Sequence, residues 1–137
     1  MPAFNFQSQW ANAVEIGARY ANNGDGILAN GICTTFHKRT TIRKAGRAKP
    51  GDTLYLYTGQ RTKACRKLGE VLCLAVTPIR RPTDGAPVLI LGTQWLFNDA
   101  LERFARLDTA GLWNAETLLA FFDKTYAPDE ELALYCW

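Results

Sequence analysis

Residues 49 to 58, KPGDTLYLYT, impose the tightest local constraint in the chain. A Pro-Gly pair fixes a turn, and leucine and tyrosine then alternate directly after it. In a strand, Leu54 and Leu56 leave one face while Tyr55 and Tyr57 leave the other. The economical arrangement buries the leucines and turns the tyrosines outward, so this strand belongs to a sheet covered on one side. A basic, hairpin-like stretch follows at residues 59–67, GQRTKACRK, and then a second strand around residues 70–79, EVLCLAVTPI. The turn-rich segment 80–87 precedes a third short strand at 87–91, and ELALYCW closes the chain as another.

Helical spacing appears on either side of these strands. Ser8 can cap a first helix whose apolar face comprises Trp10, Val14, Gly17 and Ala21, with Ala13 and Tyr20 beside them. It should end near residues 22–26, NNGDG, where Gly and Asn favour turns. Residues 27–36 have no clear period and read as loop or short strand. Thr93 can cap a helix through residues 95–107, with Phe97, Leu101 and Phe104 on one side. Asn114 can cap another through residues 115–126. The pairs Phe97/Phe104 and Phe121/Phe122 read as core. Several short strands with about three helices predict an α+β fold. The 137 residues form one domain, 1–137, without repeat or linker.

Charge is segregated. Residues 37–67 hold ten lysines and arginines against one acid, Asp52, whereas residues 99–131 hold eight acids against Arg103, Arg106 and Lys124. A net charge of +3 therefore conceals a strongly positive surface, which favours a polyanionic partner. Cys33, Cys65, Cys73 and Cys136 form no C-x-x-C pair, and His37 is the sole histidine, so a structural zinc site is not supported. The cysteines read as reduced core residues of a cytoplasmic protein, ahead of a secreted disulfide pair. No signal peptide is visible, and the best apolar run, VLCLAV, is too short to span a bilayer.

The densest cluster of chemistry is residues 37–44, HKRTTIRK, coupled to the PGD turn and to LYTGQRTK at 56–63. A Lys, two residues, Thr, one residue and Arg, then PGD and an LYTG-RTK run, resembles the ASCH family of the PUA-like superfamily, in particular its phage-type members. The likeness is dense over residues 37–74 and weaker over 104–108 and 118–122. Phe36 stands where the family usually has Gly. An insertion of roughly twenty residues falls around 18–36, a length read from spacing alone. After the later helix the chain reads Asp108-Thr109-Ala110-Gly111 where the family has Asp-Gly.

The resemblance implies a small, curved PUA-like β-barrel with flanking helices and a cleft that takes single-stranded RNA or a modified nucleoside. No membrane partner is expected, and the chain is read as a monomer or a homodimer. Family members have been linked to single-stranded RNA cleavage and to amide hydrolysis on N4-acetylcytidine. The leading expectation is a ribonuclease; the alternatives are the amidohydrolase and a non-catalytic RNA-binding module. No cofactor is implied, although a ribonuclease leaves a divalent metal open.

The proposed catalytic set of the amidohydrolase branch falls on Lys38, Thr41 and Asp108. A threonine hydroxyl attacks only when a base takes its proton. Lys38 can serve if burial, or a cation such as Arg43, favours its neutral form. Asp108 could then protonate the departing amine. The scheme carries a geometric condition. In one straight strand Lys38 and Thr41 would point to opposite faces, so Lys38 must precede the strand. Thr41 and Arg43 then share a face and Ile42 points into the core.

The substrate-binding candidates are Arg39, Arg43, Tyr55, Tyr57, Arg61, Lys63 and Arg66. The tyrosines beside the cations could stack bases while the cations meet phosphates. The same tyrosines could equally make only cross-strand contacts. Arg39, Lys44, Arg47 and Lys49 read first as a solvated face. His37 reads as a surface residue or a general base, and Glu70 as a partner for Arg66 or Lys67.

Overall fold

The computed structural model describes residues 2–22, 37–82, 84–128 and 130–137. Its elements run β1 (Ala3–Phe6), α1 (Ser8–Asn22), β2 (Thr40–Lys44), β3 (Thr53–Thr58), β4 (Arg66–Leu72), β5 (Ala75–Arg80), β6 (Leu89–Leu91), β7 (Gln94–Leu96), α2 (Asn98–Asp108), α3 (Ala115–Thr125) and β8 (Leu132–Cys136). The fold is α+β, as expected. The eight strands form two sheets, ordered β1-β3-β4 and β2-β8-β5-β6-β7, and neither closes into a barrel.

The KPGD turn is as the sequence requires. Asp52 N–H donates to Lys49 C=O at 3.1 Å, and Gly51 takes φ +95°, the left-handed conformation that a type II turn needs at that position. Leu54 and Leu56 then face inward, fully buried, while Tyr55 and Tyr57 sit half-exposed on the other face. One apolar cluster joins Leu54 and Leu56 to Phe4 and Phe6 of β1, to Trp10, Val14 and Ala18 of α1, and to Tyr135 and Trp137. A second lies between the five-stranded sheet and the α2/α3 pair, built from Ile42, Ile79, Leu89, Leu101, Phe122 and Leu134 among others.

Several expectations are corrected. The segment 70–79 is two strands, since β4 ends at Leu72 and β5 starts at Ala75. Thr93 caps no helix: Gly92 and Thr93 turn β6 into the antiparallel β7, and α2 starts only at Asn98. Phe97 is consequently 54% exposed rather than core. The inward face of α1 carries Ala11 and Ala18, where Ala13 and Tyr20 were expected. Cys65 is exposed, whereas Cys73 is buried and Cys136 half-buried. The strand β1 was not foreseen at all. One expectation holds closely: Asn114 caps α3, its Oδ1 accepting from Thr117 N–H at 2.9 Å. Residues 27–36, and most of the 18–36 insertion, lie outside the described residues. Among the described residues no helix is long and apolar enough to cross a membrane.

The two sheets meet at a seam between β1 and β2, each an edge strand. No ladder joins them there; side chains do. Arg43 donates to Asn5 C=O at 2.7 Å and Arg47 to Ala3 C=O, so alternate carbonyls of β1 are satisfied by guanidinium groups. The Arg47 guanidinium also lies 4.6 Å from the Phe4 ring centroid and that of Arg43 lies 5.1 Å from Phe6. Arg47, expected to be simply solvated, therefore helps to hold the sheets together. The candidate site opens in this seam.

Candidate functional site

Gly17 sets where the site begins. Residues 37–39 run so close to α1 that a Cβ at Gly17 would stand 2.1 Å from the carbonyl oxygen of Lys38. Lys38 N–H donates to Ala13 C=O of α1 at 2.9 Å. Residues 37–39 thus lie outside the strand, which starts at Thr40. The condition set by the sequence is met: Lys38 precedes β2, and its side chain can reach the same cavity as Thr41.

Along β2 the alternation then does its work. Thr41 pairs with Tyr135 and Arg43 with Ala133, both members of the first cluster, whereas Ile42 pairs with Leu134 in the second. Arg43 Nε donates to Thr41 Oγ1 at 3.1 Å. Ile42 between them is buried in the core. Small hydroxyls sit among cations in this stretch because the strand edge lines a pocket on one side and packs on the other.

Asp108 arrives from the far end of α2. That helix ends in a Schellman motif, with Gly111 N–H bonded to Arg106 C=O at 2.7 Å and Ala110 N–H to Leu107 C=O at 3.5 Å. Ala110 adopts φ +53° there, a conformation more usual for glycine. The last carbonyls of the helix, lacking intrahelical partners, are met by side chains. Lys38 Nζ donates to the Asp108 C=O, and Trp10 Nε1 donates to the Thr109 C=O at 3.0 Å. Lys38 Nζ also lies 3.3 Å from Asp108 Oδ1, which accepts a 2.6 Å hydrogen bond from the Thr40 hydroxyl. Lys38, Thr41 and Asp108 are only 4%, 4% and 6% exposed, so the pair is dry.

Burial pulls the Lys38 ammonium below the ordinary lysine range; the Asp108 carboxylate opposes this and the Arg43 charge adds to it. Burial likewise lowers Arg43 and raises the Tyr126 phenol, which stays a neutral donor to Ile42 C=O at 3.3 Å.

These groups surround a cavity of about 80 Å³ whose remaining walls are largely aromatic. Trp10 and Trp113 meet edge to face at 4.8 Å, and Phe121 lies 5.2 Å from Trp113 and 6.2 Å from Tyr126. A volume of that size holds a few water-sized groups. The sequence missed this aromatic lining and the part played by Thr40. Trp10 was read as helix face and Phe121 as core; only their convergence at the seam gives them another role.

The binding candidates divide. Arg43 lines the cavity. Arg39 turns to the C-terminal strand, donating to Trp137 C=O at 2.8 Å. Tyr55 and Tyr57 stand on the outer face of β3, with Lys67 Nζ 5.7 Å from the Tyr55 ring. Arg61 and Lys63 are exposed in the β3–β4 turn. That turn touches the cavity rim, because Gln60 N–H donates to Asn5 Oδ1 at 2.9 Å and Asn5 is a lining residue. Arg66 pairs with Glu15, and Glu70 pairs with Lys67 rather than Arg66. His37 is half-buried, its ring 5.5 Å from Tyr20. Burial and the Arg39 charge hold it below its ordinary value. Among the described residues no group of three or more His, Cys, Asp or Glu is placed to hold a metal ion. No protein-family model, curated protein or solved structure matches the chain.

Proposed function

We propose that the protein is a small hydrolase that cleaves an amide on a single nucleobase, in the manner that its resemblance to the amidohydrolase branch of the ASCH family implies. The observation that carries this reading is the convergence of the buried Lys38, Thr41 and Asp108 on one small, aromatic-walled cavity. The ribonuclease expected first from the sequence needs its reacting groups set along an open groove, whereas Lys38, Thr41 and Asp108 are all buried. On the fold, the reading takes the two sheets bridged at the β1–β2 seam as an opened version of the PUA-like barrel.

The chemistry follows from the pair. Moving one proton from Lys38 Nζ to Asp108 Oδ1 converts a buried ion pair into a neutral amine and a carboxylic acid, the form that a dry site tolerates best. The amine then takes the Thr41 proton as Thr41 Oγ attacks the amide carbon. Arg43 Nε, already bonded to Thr41 Oγ1, stabilises the negative charge that develops on that oxygen. Asp108 gives its proton to the nitrogen as the C–N bond breaks. Water then hydrolyses the acyl-threonine, restoring the hydroxyl and releasing the acid. The aromatic walls hold the ring by stacking.

The test is turnover of N4-acetylcytidine by the wild-type protein and by Thr41→Val and Asp108→Asn variants, all checked for fold by circular dichroism. Wild-type turnover lost in both variants is the expected result. The active pair holds one proton, so the rate should fall as pH rises through the lowered Lys38 value, below the ordinary lysine range. Unchanged turnover in Thr41→Val sinks the nucleophile assignment, and no turnover by the wild type sinks the reading. A second reading, RNA binding, rests on the exposed Arg61 and Lys63 beside the cavity rim. Labelled single-stranded RNA in the same assay, scored for binding and for cleavage, examines it.

A further inference from the structure

The inner face of the five-stranded sheet extends beyond the part that the three-stranded sheet covers. Side-by-side residues on neighbouring strands share a face, so the register traces it. Thr41, Tyr135 and Val76 form one row, and Arg43, Ala133 and Pro78 the next. Tyr135, Ala133 and Val76 belong to, or pack against, the first apolar cluster. The same face continues through Arg80, Ile90 and Trp95. There it forms the floor of an open cavity of about 840 Å³ that shares no lining residue with the seam cavity.

Three observations define what this groove accepts. Its floor is apolar, with Val76, Pro78 and Ile90, and Trp95 stands at one end 56% exposed. Its opposite end is acidic. Glu130 and Glu131 line it, and Glu130 Oε2 is a buried oxygen without a hydrogen-bond partner, its nearest cation being Lys44 Nζ at 3.8 Å. Asp84 adds a third carboxylate. Of the two arginines, Arg81 is committed to Asp123 and to the carbonyls of Ala86 and Val88, so only Arg80, with Lys44 beside Glu130, offsets them. Finally, the groove crosses from Gly46, past the end of β2, to Trp95 on β7. Five strands span four gaps, about 19 Å, which an extended peptide of about six residues would cover.

We propose that this groove binds an extended segment of a partner protein, basic at the end that meets Glu130 and Glu131 and apolar along the floor to Trp95. Lysine or arginine side chains of the segment would meet the exposed carboxylate of Glu131 beside Glu130, and Arg80 can donate to its backbone carbonyls. The site is separate from the nucleobase cavity, so either reading can fail alone.

Two pools of acetylated hexapeptides test it by amide chemical shifts of the isotope-labelled protein. One carries two lysines at either end and apolar residues elsewhere; the other has glutamates in place of the lysines. The lysine pool should shift the Gly46 and Gly92 amides and the Trp95 indole, leaving those of Asn5 and Lys38 in place. Trp95→Ala and Glu131→Lys, both surface changes, should each weaken the effect about tenfold or more. The proposal falls if no shift appears at about 1 mM peptide, or if the glutamate pool acts equally. It also falls if neither substitution matters, or if the same signals move with protein concentration alone, which would make a second copy the occupant.

Discussion

Lys38 and Arg43 come from the same cation-rich stretch as Arg61 and Lys63, yet the fold treats them in opposite ways. At the seam Lys38 is taken out of water and Arg43 is half-buried beside it, and the two are tied to Asp108, Thr41 and Asn5. The second two project from the β3–β4 turn into solvent. Desolvation makes a charge costly alone and strong when paired, whereas solvent leaves it weak in either case. A run of positive charge in a sequence is thus two different materials once folded, and only one of them is suited to proton transfer.

The sharpest way to break that contrast is to delete one half of the dry pair. Lys38→Ala leaves the Asp108 carboxylate buried with only the Thr40 hydroxyl, and it strips the α2 terminus of the donor to the Asp108 C=O. Removing one partner of a buried pair costs about 3–5 kcal/mol. The double variant Lys38→Met with Asp108→Leu, which leaves no orphan charge, should recover most of that loss. Denaturant titration of both measures it. A loss for Lys38→Ala no larger than that of an exposed lysine would mean that water reaches the pair, and the proton-transfer scheme would go with it.

A smaller effect is expected at Gly17. Alanine is the better helix former by about 1 kcal/mol, but here its Cβ would meet the backbone carbonyl of Lys38 at 2.1 Å. A backbone segment hydrogen-bonded to α1 yields poorly, so Gly17→Ala should be net destabilising by about 1–3 kcal/mol. It should also lower turnover, since it moves Lys38 away from Asp108. A variant as stable as the wild type, with full activity, would show that the 37–39 segment shifts freely and that Gly17 does not position the site.

Which of these features the sequence could show depends on distance along the chain. Local rules carried the KPGD turn, the alternation of Leu54 to Tyr57 and the Asn114 cap, because each is decided within a few residues. The pairing of Lys38 with Asp108 spans 70 positions, and it was reached through a family likeness rather than through spacing. What stayed hidden was decided by assembly. The β1 strand is four residues that pair parallel to β3, and short parallel pairing leaves no pattern of its own. The helix expected from Thr93 gave way to a hairpin because Gly92 supplies a positive φ, and β7 then completes the sheet. Trp10, Trp113 and Phe121 were legible as apolar, but their meeting around a cavity follows from how α1, α2 and α3 converge on the seam.

The mildest test addresses the solvated half. Arg61→Ala with Lys63→Ala removes two exposed cations that no acid contacts among the described residues, so the unfolding midpoint should stay where it is. Turnover of a free nucleoside should also be unchanged, because neither residue lines the cavity. Binding of an oligouridylate is where the pair should count: losing two phosphate contacts from a single strand flattens the slope of log affinity against log salt by about 1.4. An unchanged slope would make the turn a plain solvated face and leave the seam as the one place where this stretch of charge acts. A changed unfolding midpoint would have the opposite meaning, that the turn is coupled to the seam through Gln60 and Asn5, and the division between the two halves would have to be redrawn.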